Sequence, residues 1–324
     1  GGLIRLVRKM AMLTLVMEGA GILVLLTRFV VMEGTTRGIW LAVFHSVSSF
    51  NNAGFDLFGG FSSLTHLRTD TVVIAVTGIL LVTGGLSYVV LADIRRHRRF
   101  ARLALDSKLV LVTSGVLLLL GAVVYLVAEG GNEATLGAIP LPHRFLAAVF
   151  QSATRTAGFT TVNMREMHDY SLLFTAILMF IGGAVGSTAG GVKVNTIGIL
   201  VAVVISTLRG RTEAFAFGRE ISVQQARRAL TVVVLALSFV LVATLTLAVT
   251  EKADILTILF EATSAFGTVG LSMGLTPHLS VVGRLIVIVA MFVGRLGPLY
   301  VALALMQRQR QREYRYPGEP VRIG

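Results

Sequence analysis

Six apolar stretches, each long enough to cross a lipid bilayer, constrain this chain more than any other feature. A hydrocarbon core about 30 Å thick needs about 20 mostly apolar residues in a helix. The long stretches cover residues 10–31, 71–91, 109–128, 172–208 (with an interruption), 230–249 and 281–306. Only 14% of the residues are charged, against about 25% in soluble domains. The sequence therefore excludes a soluble globular protein and predicts an all-α polytopic membrane protein.

Three further apolar stretches, 39–50, 145–153 and 255–266, are too short to span the membrane. Each lies between two long stretches, so the order long, short, long occurs three times. A helix that stops inside the membrane is tolerated only where it is buried in protein or lines an aqueous cavity. We therefore predict that the short stretches are re-entrant half-helices.

The basic residues predict the orientation of the chain. Most of the 29 Lys and Arg residues lie between one triplet and the next, or near the two ends of the chain. Because cytoplasmic loops carry the excess of Lys and Arg, we expect a multi-pass protein of the plasma (inner) membrane with cytoplasmic termini. The net charge of +12 then indicates topology and contact with membrane lipid rather than a nucleic-acid partner.

Several chemistries are excluded by missing residue types and motifs. The chain contains no cysteine, which rules out disulfides, thiol nucleophiles and thiolate metal sites. It also lacks an HExxH pair, a Gly-x-Ser-x-Gly elbow and clustered membrane carboxylates. We therefore expect no enzyme activity.

The three half-helices end in similar residues, which indicates an internal repeat. Phe, Ser, Phe and Gly recur at the same offsets in residues 44–55 and 260–271, and the segment 150–159 is two residues tighter. The segments contain Gly54, Gly158 and Gly270, which lie roughly a hundred residues apart. A single glycine of this kind would be ascribed to helix packing, but three at matching places favour one shared function.

A glycine turn after a half-helix suits the binding of a cation. Carbonyls of extended backbone inside the membrane find no partner in lipid, but they can replace the water shell of a cation. Glycine permits the positive φ that directs successive carbonyls toward one axis, and the helix C-terminus adds partial negative charge. We therefore expect a monovalent cation to bind where these segments meet.

The number of repeats predicts how the chain is divided. A ring of carbonyls needs about four contributors, whereas the sequence holds three repeats and starts with Gly rather than Met. We expect a C-terminal portion that lacks a first repeat; a complete three-repeat protein is the rival interpretation. The predicted divisions are a second pore repeat (1–95), a third (96–208), a fourth (209–307) and a basic cytoplasmic tail (308–324).

Residues 51–56 (NNAGFD), 155–159 (RTAGF) and 263–272 (TSAFGTVGLS) resemble the pore loops of the Trk/Ktr/HKT potassium-transporter superfamily, especially its KtrB/TrkH-type membrane subunit. The resemblance covers essentially the whole chain. It implies units of helix, pore helix, filter loop and helix around a central pseudo-fourfold pore. It also implies potassium uptake, a homodimer, and a cytoplasmic nucleotide-binding regulatory ring of the KtrA or TrkA type.

Carried over to this sequence, the resemblance gives three filter segments whose backbone carbonyls would bind K⁺. They consist of Asn52, Ala53, Gly54 and Phe55; Thr156, Ala157, Gly158 and Phe159; and Thr268, Val269, Gly270 and Leu271. K⁺ would be the substrate, with no covalently bound cofactor. The choice between channel-like conduction and symport with Na⁺ or H⁺ stays open. A sodium-conducting member of the superfamily is the alternative, because some plant sodium-selective relatives carry serine for the first-repeat glycine.

A glycine-rich stretch, 182–193, interrupts the apolar run after the second filter segment. Each glycine costs a helix roughly 1 kcal/mol relative to alanine, and the Walker spacing of a phosphate loop is absent. Close helix packing is one interpretation, whereas the resemblance implies an intramembrane gating loop. An arginine at membrane depth must face water or a partner; the resemblance implies that Arg295 is an electrostatic barrier in the cation path, and pairing with helix-end carbonyls for structure is the other interpretation. The predicted gate comprises Gly182, Gly183, Gly186, Ser187, Thr188, Gly190, Gly191, Lys193 and Arg295.

Five other polar residues are predicted to act around the filter. Glu18 and Glu261 are expected to brace the helices by hydrogen bonds, and His45 occupies the Glu261 position in its own repeat. Asp56 is placed to attract cations at the outer mouth, and Arg155 is expected to point behind the filter. The remaining alternative is an inverted-repeat transporter of an organic solute. The common orientation of the three repeats argues against it.

Overall fold

The structure, a computed structural model, describes residues 2–297. The predicted tail 308–324 and the end of the predicted fourth repeat lie outside the described residues. Within them the helices are α1 (Gly2–Glu33), α2 (Thr35–Phe50), α3 (Thr71–Gly85), α4 (Tyr88–His97), α5 (Leu105–Glu129), α6 (Leu141–Ala153), α7 (Asp169–Phe180), α8 (Val194–Leu208), α9 (Val223–Thr250), α10 (Ile255–Gly267) and α11 (Val281–Leu296). A small antiparallel hairpin of β1 (Ala214–Ala216) and β2 (Arg219–Ile221), which the sequence analysis did not predict, joins α8 to α9.

The predicted half-helices are α2, α6 and α10, and two of them are fastened to the preceding long helix in the same way. The buried hydroxyl of Ser46 on α2 donates to the carbonyl of Glu18 on α1 (2.7 Å). The buried hydroxyl of Ser152 on α6 donates to the carbonyl of Leu118 on α5 (2.9 Å). Because a buried hydroxyl must be hydrogen-bonded, these serines fix where each half-helix lies along its neighbour.

The outer faces of the long helices are apolar. Among the described residues, α1, α5 and α9 are each long and apolar enough to cross a membrane. The exposed fractions of Val31, Val127 and Val249 on these three helices are 83%, 82% and 88%. Exposed apolar side chains on helices of this length are expected where the surrounding solvent is lipid rather than water.

The predicted span 71–91 is not one straight helix. α3 and α4 meet at an angle of 96°, and the backbone of Leu86 between them is extended. Two adjacent glycines, Gly84 and Gly85, weaken the helix here. A Cβ on Gly84 would also overlap the carbonyl oxygen of Phe50 at the end of α2. The prediction of a continuous helix is therefore wrong in this stretch, and the bend leaves the carbonyls of both glycines free for other partners.

Buried apolar side chains join the repeats into one body. One cluster connects α5, α6, α7 and α10, and a second connects α1, α2 and α3 with residues of the following repeat. Phe150 and Phe159 belong to this second cluster and are fully buried. The repeats therefore share their core, which holds the segments that follow α2, α6 and α10 at fixed positions.

A polar contact outside the long helices positions α11. Glu251, at the end of α9, accepts hydrogen bonds from the backbone N–H of Ser280 (3.0 Å) and from its hydroxyl. These hydrogen bonds hold the pKa of the Glu251 carboxyl below its usual range. The Ser280 hydroxyl in turn caps α11 by accepting from the backbone N–H of Gly283 (3.0 Å).

Candidate functional site

The three glycines singled out by the repeat lie against one another. A Cβ placed on Gly54 would overlap the backbone nitrogen of Gly158. A Cβ placed on Gly158 would lie 3.1 Å from the carbonyl oxygen of Val269 and 3.2 Å from that of Gly270. The three filter segments (52–55, 156–159 and 268–271) therefore meet at one place, although they are far apart in sequence.

The first and third filter segments share a backbone conformation that the second does not adopt. Asn52 and Gly54 have φ values of 51° and 72°, and the matching Thr268 and Gly270 have 50° and 97°. Gly158 has no positive φ, so the expectation that all three glycines are needed for left-handed backbone is wrong at this position. Its lack of a side chain is explained instead by its close approach to the third segment.

One backbone N–H group in each filter segment bonds to a carbonyl in or directly after its own half-helix. Those of Ala53, Ala157 and Val269 each donate, at 2.9 Å, to the carbonyl of Ser48, Thr154 and Ser264 respectively. Within residues 2–297, no hydrogen bond ends on six of the nearby carbonyl oxygens. These belong to Ala53, Gly54, Ala157, Gly158, Val269 and Gly270. Unpaired carbonyls next to three half-helix C-termini form a region of negative potential suited to a cation.

Carboxylates brace two of the three segments. Glu18 on α1 accepts from the side-chain amide of Asn51 (2.7 Å). Glu261 on α10 accepts from the hydroxyls of Ser272 (2.8 Å) and Thr276, which follow the third filter segment. Both glutamates thus make the bracing hydrogen bonds expected of them.

His45 and Asp56 occupy supporting positions beside the first segment. The His45 ring packs against Phe58 and Phe159 with centroids 4.9 and 6.2 Å apart, and its Nδ1 lies 2.8 Å from the carbonyl oxygen of Leu41. Asp56 accepts from the backbone N–H of Phe58 (3.0 Å), which closes a turn after the filter segment. In the part of the chain that the structure describes, no cluster of three His, Asp or Glu side chains could hold a metal ion.

The stretch 182–193, here called the glycine loop, separates α7 from α8. Its two ends are held together: Ile181 pairs with Val192 in an isolated bridge, and the N–H of Gly182 donates to the Val192 carbonyl (2.8 Å). The N–H of Gly191 donates to the carbonyl of Gly294 on α11 (3.2 Å). The two ends of the loop are therefore close together, and the loop contacts α11.

The glycine loop contacts the filter on one side and the bend between α3 and α4 on the other. A Cβ on Gly190 would overlap the side chain of Thr268 in the third filter segment. On the other side, the N–H of Ala184 donates to the carbonyl of Gly85 (2.9 Å) and the hydroxyl of Thr188 donates to that of Gly84 (3.0 Å). The bend between α3 and α4 thus supplies the carbonyls that hold the loop in place.

Three basic side chains bond to carbonyls of the loop or its edge. Arg155 Nη1 donates to the carbonyls of Ile181 and Gly182 (3.1 Å for the latter), so its guanidinium is held at the edge of the loop. Lys193 Nζ donates to the carbonyl of Ala189 (2.5 Å), and Arg295 Nη1 donates to that of Thr188. The predicted gate residues Lys193 and Arg295 are therefore brought together with the loop.

Sequence analysis missed the side chain of Asn52, which was singled out only for its carbonyl. Its Nδ2 lies 3.0 Å from the Thr188 hydroxyl, and its Oδ1 accepts from the Thr156 hydroxyl (2.7 Å). The only signal in the sequence is a second amide directly after Asn51 at the end of a half-helix. Spacing alone does not say which partners such an amide would reach.

Replacing Arg155 by methionine should reduce stability, because two buried carbonyls at the edge of the loop lose a charged donor. A buried hydrogen bond to a charged group contributes about 1.5–3 kcal/mol, so the midpoint of thermal unfolding in detergent should fall by several degrees. Arg165→Met is the matched control, since Arg165 also donates to two carbonyls, of Met273 and Gly274, but is exposed. Equal midpoints for the two variants would contradict the role assigned to Arg155.

The family model described as "TrkH: Cation transport protein" matches residues 2–314. The chain belongs to the TrkH family of cation transport proteins. It is thus a polytopic membrane protein of a transporter family.

Two curated proteins of this family illustrate the relationship. The potassium/sodium uptake protein NtpJ of Enterococcus hirae is 39% identical over 330 residues, which is all of this chain and 72% of that protein. The Ktr system potassium uptake protein B of Bacillus subtilis is 38% identical over 325 residues, with the same coverage of both chains. Two proteins that are named for potassium uptake are thus similar to this chain along its whole length.

The fold is also shared with a solved member of the TrkH family. The crystal structure of the potassium transporter TrkH from Vibrio parahaemolyticus matches with a TM-score of 0.66 at 20% sequence identity. The match covers 88% of this chain and 62% of the TrkH chain. This likeness places the helices described above in a transporter fold.

Proposed function

We propose that this protein takes up potassium ions across the plasma membrane through a filter lined by the carbonyls of residues 52–55, 156–159 and 268–271. The meeting of these segments carries the proposal, because the N–H groups of Ala53, Ala157 and Val269 are used within the protein while six carbonyls of the segments have no partner among residues 2–297. Dehydrating a cation requires oxygen ligands of this kind. The named activities of the relatives from B. subtilis and E. hirae support potassium as the cargo.

The glycine loop and Arg295 act in this proposal as the gate. The loop is a non-helical segment in contact with the filter, a kind of structure that is tolerated at membrane depth only beside a cavity or inside protein. Arg295 bonds to the loop from α11, and its positive charge opposes the passage of a cation. Displacement of the loop would open the pathway, and the positive charge would then be the remaining barrier.

The wider assembly follows from the family and from the distribution of charge. The pore repeats would comprise residues 1–95, 96–208 and 209–307, arranged around one pseudo-fourfold axis, in a homodimer. The termini and basic loops would face the cytoplasm. There, residues such as Arg95, Arg96 and Arg102 would meet a nucleotide-binding ring of the KtrA or TrkA type.

A flux assay tests the proposed cargo. The full-length protein, purified and placed in liposomes loaded with potassium chloride, should accumulate rubidium from outside, and external K⁺ should suppress this uptake at least about tenfold more effectively than Na⁺. Adding a sodium or proton gradient in separate experiments distinguishes symport from conduction. Empty liposomes serve as the control.

Two outcomes of that assay would change the assignment. Sodium uptake with equal competition by K⁺ and Na⁺ would favour a sodium-conducting member of the same superfamily. Uptake of an organic solute without rubidium would instead support a secondary transporter and overturn the filter proposal.

A further inference from the structure

The side chain of Asn52 is bonded to two parts of the protein that the proposed function treats separately. It is buried, with 3% of its surface exposed, and it stands at the end of α2 in left-handed backbone. Its Nδ2 donates to the hydroxyl of Thr188 in the glycine loop (3.0 Å). Its Oδ1 accepts from the hydroxyl of Thr156 in the second filter segment (2.7 Å).

Thr188 extends this connection to the arginine of α11. Its hydroxyl accepts from Asn52 and donates to the Gly84 carbonyl (3.0 Å), while its own carbonyl accepts from Arg295. A hydroxyl has one proton to donate and lone pairs to accept with, so these bonds are mutually compatible. An unbroken series of hydrogen bonds thus runs from the filter at Thr156, through Asn52 and Thr188, to Arg295.

The chemistry of the amide makes Asn52 sensitive to the position of the loop. Asparagine offers a donor and an acceptor on one planar group, so a rotation that changes one bond changes the other. The Nδ2 also donates to the Leu81 carbonyl oxygen (3.3 Å), and because an amide NH₂ carries two protons, this bond and the bond to Thr188 are made together. The amide therefore loses one of its partners when the loop moves away, and a buried amide that differs in this way between two loop positions is the kind of two-state element that can transmit a change between sites.

We propose that the Asn52 side chain is a positioning residue that couples the glycine loop to the filter. Displacement of the loop removes Thr188 from Nδ2, and the amide then shifts the hydroxyl of Thr156 and with it the second filter segment. By thermodynamic reciprocity, an ion held in the filter must alter the equilibrium of the loop by the same factor. The inference rests on the proposed function, since it needs an ion in the filter and a loop that moves.

A labelling experiment measures this coupling directly. The 324 residues contain no cysteine, so Val185→Cys, at a loop position whose side chain is 58% exposed, provides a single reactive thiol in this chain. Its rate of reaction with a maleimide dye is measured in detergent with potassium chloride or with choline chloride. We expect the two rates to differ about fivefold or more, and the ratio to fall to within about twofold of unity when Asn52→Leu is added.

Matched substitutions separate the coupling from general damage. Thr77→Val removes a buried hydroxyl that bonds to the Val73 carbonyl within α3 rather than to the filter or the loop, and should keep the full potassium effect. Thr156→Val should weaken the effect, whereas Thr154→Val removes a hydroxyl that bonds to Gln151 in the same half-helix and should not. If Asn52→Leu aggregates, Thr188→Val and Asn52→Asp replace it, because each removes the bond from Nδ2 to the loop; either should abolish the effect.

The outcomes distinguish the coupling role of Asn52 from the proposed potassium uptake. A potassium effect that survives in Asn52→Leu, or in either replacement variant, overturns the coupling role, as does a labelling rate in the Val185→Cys parent that does not depend on potassium. Rubidium uptake by the parent is measured in liposomes from the same preparation. Uptake without a potassium effect on labelling removes only the coupling proposal, whereas absence of uptake in the unsubstituted protein removes the proposed function.

Discussion

Gly54→Ala is expected to reduce rubidium uptake at least about tenfold. The added Cβ would overlap the backbone nitrogen of Gly158, so the first and second filter segments cannot keep their present approach. Alanine also pays roughly 1–2 kcal/mol in the left-handed conformation that Gly54 adopts, and 1.4 kcal/mol corresponds to a factor of ten. The measurement is initial rubidium uptake into liposomes, normalised to the amount of protein inserted.

Gly59→Ala is the matched control for this prediction. Gly59 also has a positive φ, 80°, but a Cβ there would meet nothing within 4 Å. The control therefore carries a similar backbone penalty without the collision between segments. Uptake that falls equally in both variants would show that left-handed strain, and not the meeting of the filter segments, explains the loss.

The parts of the fold that sequence predicted well are those with long-range regularity. Apolar length and the recurrence of Phe, Ser and Gly identified α2, α6 and α10 and placed Gly54, Gly158 and Gly270 at matching points, and the structure brings these glycines into contact. A stretch of about 20 apolar residues has few alternatives to a helix in the membrane. A repeat also relates distant segments within a single sequence, because each copy forms the same structural unit and packs in the same way.

What the sequence left undetermined depends on local three-dimensional contacts. The bend after Gly85 was missed because the length of an apolar stretch does not indicate where its helix changes direction. The cause lies partly in the carbonyl of Phe50 on another helix. Gly158 also differs in conformation from its repeat partners although it occupies the matching position, and spacing does not reveal that it lies against the third segment. Likewise, the side chain of Asn52 finds partners in the following repeat, and no spacing rule specifies such contacts.

Arg295→Ala is expected to raise rubidium uptake about tenfold or more. A positive charge beside the ion pathway repels a passing cation, so removing it lowers the barrier, and about 1.4 kcal/mol corresponds to a factor of ten. The substitution also removes the bond from α11 to the carbonyl of Thr188 that helps to hold the loop. Arg284→Ala is the control, since Arg284 lies on the same helix and donates to the Leu279 carbonyl away from the loop; its uptake should match that of the unsubstituted protein.

Deleting residues 186–190 tells whether Arg295 acts through the loop or only through its charge. The deletion removes Thr188 and leaves the base of the loop, where Ile181 pairs with Val192, so uptake should rise here as well. If Arg295 works mainly by holding Thr188, Arg295→Ala should add little to the increase in uptake caused by the deletion. The effects of changes at two groups that act through each other are not additive. If its charge alone repels the ion, the two increases should multiply. We expect the second result, since the positive charge of Arg295 remains a barrier to a cation once the loop is removed, and unchanged uptake in every variant at normal expression would refute the gate.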